Sequence, residues 1–89
     1  MKLRIDKSFE KDTDKVFDKK LLQKIYSCIE QATASKTLTE VQNLKKLQGF
    51  KNHYRIKIGE FRIGLRIENN ELLFERFLNR KDIYKYYPR

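Results

Sequence analysis

Fourteen residues, Tyr54 to Ile67, constrain the fold of this chain more than any other stretch: YRIKIGEFRIGLRI. Tyr54, Ile56 and Ile58 alternate with Arg55 and Lys57. Phe61, Ile63, Leu65 and Ile67 then alternate with Arg62, Gly64 and Arg66. A period of two is that of a β-strand, so the apolar set falls on a core face and the cations share the other. Gly59-Glu60 separates the runs, and Gly at the first central position suits a two-residue type II′ turn. The hairpin then pairs Ile58 with Phe61, Lys57 with Arg62, Ile56 with Ile63 and Arg55 with Gly64. Like charges directly opposite on a sheet repel. Stacking Lys57 on Arg62 therefore invites a polyanion, and Gly64, having no side chain, is expected to leave room for that ligand to reach the sheet.

Eighty-nine residues with 39% hydrophobic and 37% charged side chains provide for one small domain, residues 1–89, with one modest core. No run approaches a membrane span, and the opening MKLRIDKSFE is charged throughout, unlike a signal peptide. Cys28 is the single cysteine and His53 the single histidine. An internal disulfide is excluded, a structural zinc site is not expected, and a reducing cytoplasm fits. Cys28 reads as a small core residue and His53 as an ordinary loop residue. The net charge of +9 is uneven. Up to Leu44 nine Lys/Arg face seven Asp/Glu; from Lys45 onward twelve face five. That asymmetry points to nucleic acid or an acidic partner.

Lys2 to Ile5 reads as an opening strand. Ser8 is a candidate N-cap for a first helix running towards Phe17, and Asp18 for a longer second one. In that second helix Leu21, Leu22, Ile25, Tyr26, Ile29 and Ala32 recur at helical spacing and form one apolar face. Leu38 to Leu47 mixes helical spacing with the loop formers Asn43 and Gly49. After the hairpin, Asn69-Asn70 suits a second tight turn because Asn tolerates positive φ. Leu72 to Leu78, apolar on both faces, reads as a strand covered on both sides. The chain finishes with Asn79 to Arg89. The expected class is α+β: an N-terminal strand and a helical hairpin packed on a twisted, mainly antiparallel sheet.

The residues nominated for chemistry are Arg55, Lys57, Arg62, Arg80 and Tyr84. The first three share the polar hairpin face. Arg80 follows the last strand, where the chain end can fold back over that face, and Tyr84 lies four residues on. A lone Arg or Lys on a half-exposed strand is ordinarily a solvated charge; the grouping of several is the signal. RNA cleavage through the 2′-hydroxyl needs a base, cations for the crowded phosphorane, and help for the leaving 5′-oxygen. Arginines grip phosphate in a fork and stabilise developing charge. An amine crowded by cations yields its proton more readily, and Lys57 has Arg55 and Arg62 beside it. Tyr84 suits stacking on a splayed base. Tyr54 reads as core, Tyr84, Tyr86 and Tyr87 equally as cover for the sheet, and Arg66 and Arg76 as scaffold.

From Leu44 onward, LKKLQGFKNHYRIKIGEFRIGLRI and the ending FLNRKDIYKYY resemble the RelE/ParE superfamily of type II toxin–antitoxin toxins. The family's K-L-x-G segment matches Lys46 to Gly49, its Y-R-I-R-x-G-x-Y-R hairpin matches Tyr54 to Arg62, and its R-x-x-I-Y ending corresponds to Arg80 to Tyr84. The resemblance, most like the RelE-like mRNA interferases, implies the RelE fold and a ribosome-dependent endoribonuclease that needs no metal or other cofactor. It implies Lys57 as general base, Arg55 and Arg62 on the phosphate, Arg80 at the leaving group and Tyr84 on the substrate, with Lys81 among the substrate-binding residues. It also implies a cognate antitoxin that covers the basic face or displaces the C-terminal element, with mRNA and the ribosome as the other partners. Two positions depart from the pattern. Asn79 stands where many relatives carry His, and an amide does not titrate near neutrality; Phe61 replaces a common Tyr. Two alternatives stand beside it: a ParE-type inhibitor of DNA gyrase, whose relatives share the fold but generally lack the full basic set, and a catalytically silent basic module that binds nucleic acid.

Overall fold

The computed structural model describes residues 1–88. Its elements are β1 (Lys2–Ile5), α1 (Lys7–Thr13), α2 (Lys19–Ala34), a 3-10 turn at Leu38–Glu40, β2 (Leu44–Lys46), β3 (His53–Ile58), β4 (Phe61–Glu68), β5 (Glu71–Asn79) and α3 (Ile83–Tyr86). The five strands form one sheet in the order β1-β5-β4-β3-β2. Every neighbouring pair is antiparallel except β1 with β5. The α+β class expected from the sequence is the one observed.

The hairpin takes the anticipated register: Ile58 opposite Phe61, Lys57 opposite Arg62, Ile56 opposite Ile63 and Arg55 opposite Gly64. Gly59 alone of the turn pair has a positive φ, +55°, as a type II′ turn requires. Asn69 and Asn70 both have positive φ, 50° and 64°, the signature of a type I′ turn joining β4 to β5. One irregularity interrupts the β4–β5 ladder. Leu65 pairs with Phe74 but Gly64 pairs with Arg76, so Glu75 is the extra residue of a bulge. The apolar phase of β5 shifts there from Leu72 and Phe74 to Phe77, and all three stay buried.

Helices α1 and α2 pack on one face of the sheet. Phe9 of α1 and Ile25 and Ala32 of α2 join Ile56, Ile63, Leu65, Phe74 and Phe77 in the main core. The ring of Phe9 lies 5.5 Å from Phe74 and 6.4 Å from Phe77, and Phe77 stacks on Phe61 at 5.0 Å. Asp12 locks α1 to the bulge: its carboxylate takes two bonds from Arg76, at 2.7 and 3.2 Å, and one from the Phe77 N–H at 2.9 Å. Arg76 is thus scaffold, as expected. Arg66, paired with Glu68 and Glu75, is too.

The first helix is corrected in both its limits. Asp6, not Ser8, is its N-cap, accepting from the Ser8 N–H, and that bond holds the Asp6 carboxyl below its usual range. The helix stops at Thr13, and Phe17 lies beyond it, 88% exposed. Asp18 caps α2 as expected, accepting from Lys20 and Leu21. On the apolar face of α2, Tyr26 is the exception and stands 58% exposed. At the far end of α2, the N-terminal ammonium donates to the carbonyls of Thr33 and Ser35, placing a cation where a helix C-terminus favours one.

A second, smaller core lies on the opposite face of the sheet. Leu47, Ile83 and Tyr87 are buried together with Leu78 packed against them. The C-terminal segment therefore does fold back over the hairpin's polar face.

Candidate active site on the hairpin

The β3–β4 turn gathers three of the nominated cations. Lys57 and Arg62 face each other across the hairpin. The bulge advances β5 by one residue, so Phe61 lies opposite Asn79 and Arg80 arrives beside Glu60. The Arg80 N–H donates to the Glu60 carbonyl at 2.9 Å, and its Nε reaches the Glu60 carboxylate at 2.7 Å. Arg62 curls over the same turn, its Nη1 donating to the carbonyls of Gly59 at 2.8 Å and Phe61 at 2.9 Å. Lys57 is exposed and has no carboxylate partner among the described residues. The site is thus a cluster of three cations with one carboxylate, Glu60, against it; Arg62 is held by neutral carbonyls, which do not cancel its charge.

Arg55 sits one strand step further in, half-buried. Its Nη1 donates to the Asn43 carbonyl at 3.1 Å, while its Nε is buried without a partner among the described residues. Gly64, opposite it, is not the opening expected. A Cβ there would lie 2.7–2.9 Å from the ring of Tyr87. The space left by the missing side chain is filled by the protein's own tyrosine, so a ligand does not enter at that point. Tyr87 is 6% exposed, and its hydroxyl donates to Glu75 at 2.7 Å. Burial, reinforced by that carboxylate, pushes its phenol well above the ordinary range.

Tyr84 and Lys81 both lie beyond the end of β5. Tyr84 is 67% exposed on α3. It borders a groove of about 310 Å³ with Leu47, Phe50, Tyr87 and Pro88. Phe50 and Tyr87 of that groove pack edge-on against His53, which stands at the start of β3, about 13 Å from Lys57 by strand rise. Lys81 is exposed in the turn after β5, with its N–H on the Asn79 side-chain carbonyl at 2.9 Å. Asn79 therefore shapes the turn that sends the chain towards α3. His53 is not a loop residue: it opens β3, with its ring edge-on to Phe50 at 5.7 Å and to Tyr87 at 5.6 Å.

Sequence reasoning missed Glu60 and Tyr87. The signal for Tyr87 was the lone Gly64 in an otherwise bulky strand, which marks close approach by something. The signal for Glu60 was the phase change in LLFERF, which betrays the bulge that brings Arg80 to it.

The family model described as ParE toxin of type II toxin-antitoxin system, parDE, matches residues 3–84. The chain belongs to the RelE/ParE superfamily of type II toxins. Among its RelE/ParE relatives, Toxin RelE3 of Methanocaldococcus jannaschii is 36% identical over 89 residues, covering 99% of this chain and 100% of that one. The toxin fold superposes on the structure of the RelB-RelE antitoxin-toxin complex from Methanococcus jannaschii with a TM-score of 0.80 at 34% identity, covering 96% of this chain and 99% of that one. YafQ from E. coli shares the fold at a TM-score of 0.69 and 16% identity, over 92% of this chain and 96% of that one.

Proposed function

We propose that this toxin is a ribosome-dependent endoribonuclease that cuts mRNA without a metal ion, using Lys57, Arg62 and Arg80 at the β3–β4 turn. The observation that carries the reading is the convergence of those three cations on one turn, on a chain 36% identical to a protein named RelE3. The Lys57 amine takes the proton of the 2′-hydroxyl. The O2′ then attacks phosphorus, a pentacovalent phosphorane forms, and the bond to the 5′-oxygen breaks. The products are a 2′,3′-cyclic phosphate and a 5′-hydroxyl; the leaving 5′-oxygen takes its proton from water, and Lys57 returns to solvent the proton it took. Arg62 and Arg55 stabilise the phosphorane charge, and Arg80 stabilises the leaving oxygen. Tyr84, on the groove beside Phe50, stacks a neighbouring base, and Lys81 holds the backbone.

Glu60 is part of this reading. Its ion pair with Arg80 is solvent-exposed, at 55% and 68% side-chain exposure. Exposed pairs of this kind hold by about 1 kcal/mol or less, so a phosphate displaces the carboxylate at small cost. The cluster is open to solvent, which assigns the bending of the RNA to the ribosome's decoding site. The partner in the resting state is a cognate antitoxin, as in the RelB-RelE complex, with an acidic or amphipathic segment over the basic face. Both fit a cytoplasmic protein; among the described residues no helix is long and apolar enough to cross a membrane.

A second reading, inhibition of DNA gyrase by binding, is favoured by one observation: the matching family model is that of ParE toxins. Primer extension of mRNA on programmed ribosomes separates the two. Discrete cuts with the wild type, reduced about 10²- to 10⁴-fold by Lys57→Ala, are the expected result. Intact mRNA together with loss of gyrase supercoiling would replace the nuclease reading with the second.

A further inference from the structure

A cleft of about 330 Å³ opens between α2 and the free end of β3, with Lys57 on its rim. It exists because β2 is short. Its last partner on β3 is Ile56, opposite Leu44, so Lys57 to Gly59 have no strand beyond them. Cys28, Ile56 and Ile58 make an apolar floor. Burial lifts the Cys28 thiol to about 11, so the floor is uncharged at neutral pH.

The walls are of a different kind. Gln23, Ser27, Gln42 and Asn43 line them, and among the described residues none of these side chains bonds to protein. Gln31, in contrast, is fully engaged. Its amide donates to Ser35 Oγ and to the Glu40 carbonyl, and its oxygen accepts from the Gln42 N–H. Gln31 therefore anchors the wall while Gln42 and Asn43 remain available. Asn43 is fixed through its main chain: its φ is +62°, and its carbonyl accepts from the Lys57 N–H at 3.2 Å and from Arg55 Nη1. That wall is tied to the strand that carries the proposed base.

The charge is of one sign. Lys24 and Lys57 border the cleft and no carboxylate lines it. An apolar floor, free amides on the walls and the Lys24 cation at the rim match a base, its edge and its phosphate. The volume lies at the small end of ligand sites, the size of one nucleotide and no more. We infer that this cleft binds a single nucleotide of the RNA next to the cut, its phosphate on Lys24 and its base edge on Gln23, Gln42 and Asn43. The inference rests on the nuclease reading for its purpose, and it makes the cleft a source of base preference separate from the Tyr84 groove.

The test does not depend on cleavage. The full-length toxin, labelled with ¹⁵N, is titrated with AMP, GMP, CMP and UMP. The side-chain amide signals of Gln23, Gln42 and Asn43 should shift saturably, with different affinities for the four nucleotides. Ser27→Trp, which fills the cleft from an exposed helix position, should weaken binding at least tenfold. Gln23→Ala, a smaller change, should alter the ranking of the four nucleotides. Inorganic phosphate giving the same shifts while the nucleosides give none would reduce the cleft to an anion site and overturn the inference. Shifts confined to Arg62, Arg80 and Tyr84 would overturn it too. So would a response to polyglutamate but not to nucleotides, which would assign the cleft to an acidic protein partner. Saturable shifts from a toxin that leaves ribosomal mRNA intact would sink the nuclease reading while the site stands.

Discussion

Gly64 and Tyr87 share one space, and each fixes what the other can be. Adding a methyl group at Gly64 drives it against the Tyr87 ring at 2.7–2.9 Å. The ring cannot swing away freely, because its hydroxyl is held by Glu75 and its neighbours Leu47 and Ile83 are buried. Gly64→Ala should therefore destabilise the fold by about 1–3 kcal/mol, measured by denaturant unfolding. Combining it with Tyr87→Ala should cost less than the two single changes together, since the clash is gone. At Glu60 the expectation runs the other way. Glu60→Gln removes an exposed pair worth about 1 kcal/mol or less and frees Arg80, so stability should hold while affinity for single-stranded RNA rises severalfold by fluorescence anisotropy. Cys28 sets a third expectation. Its thiol lies at about 11 in the fold against an ordinary 9.0. The unfolded chain loses the proton first as pH rises, so the thiol's contribution to stability is whole below pH 9 and is lost between pH 9 and about 11. Alkylation of native Cys28 by iodoacetamide should be slow at neutral pH and accelerate through that same window.

The elements differ in how much their own residues dictate. The β3–β4 hairpin is legible in full because alternation, turn residues and a two-residue loop all specify one register. The second helix is legible because Asp18 stands directly before an amphipathic run. Asp18→Ala should cost about 1 kcal/mol by loss of that cap. The first helix is not so readable: Asp6 and Ser8 are both good caps, and the β1 strand decides between them by ending at Ile5. Its real anchor is tertiary. Asp12 reaches a residue 64 positions away, which no local pattern announces. Asp12→Ala leaves the Phe77 N–H and Arg76 without their acceptor, and about 2 kcal/mol of destabilisation is expected, discounted for the third of Arg76 that faces water. The site shows the same division. Lys57 and Arg62 were readable from alternation within one hairpin. The place of Arg80 depends on a bulge, and that of Tyr84 on how the chain end settles onto the second core, so the expected single cluster of five separates into a turn cluster and a groove.

At the scale of the molecule the charge of +9 is concentrated where the hairpin and C-terminal segment meet solvent. Binding of single-stranded RNA should therefore weaken with salt, with a logarithmic slope of about −3 if four phosphates are engaged. Lys57→Ala should flatten that slope by roughly one contact's share, about 0.7. The strand order carries one more consequence. Lys2 of the first strand pairs with Glu71 of the last long one, in parallel, and Asp6 donates its N–H to Phe74. A chain made from its N-terminus thus produces β1 early and keeps it waiting until β5 has been made. The turn cluster is likewise incomplete until Arg80 exists. Stalled nascent chains ending before Glu71 should be cut by protease within β1, and full-length chains should resist. The cation that arrives last, Arg80, is then the one that closes the cluster, and it does so only on a hairpin that is already made.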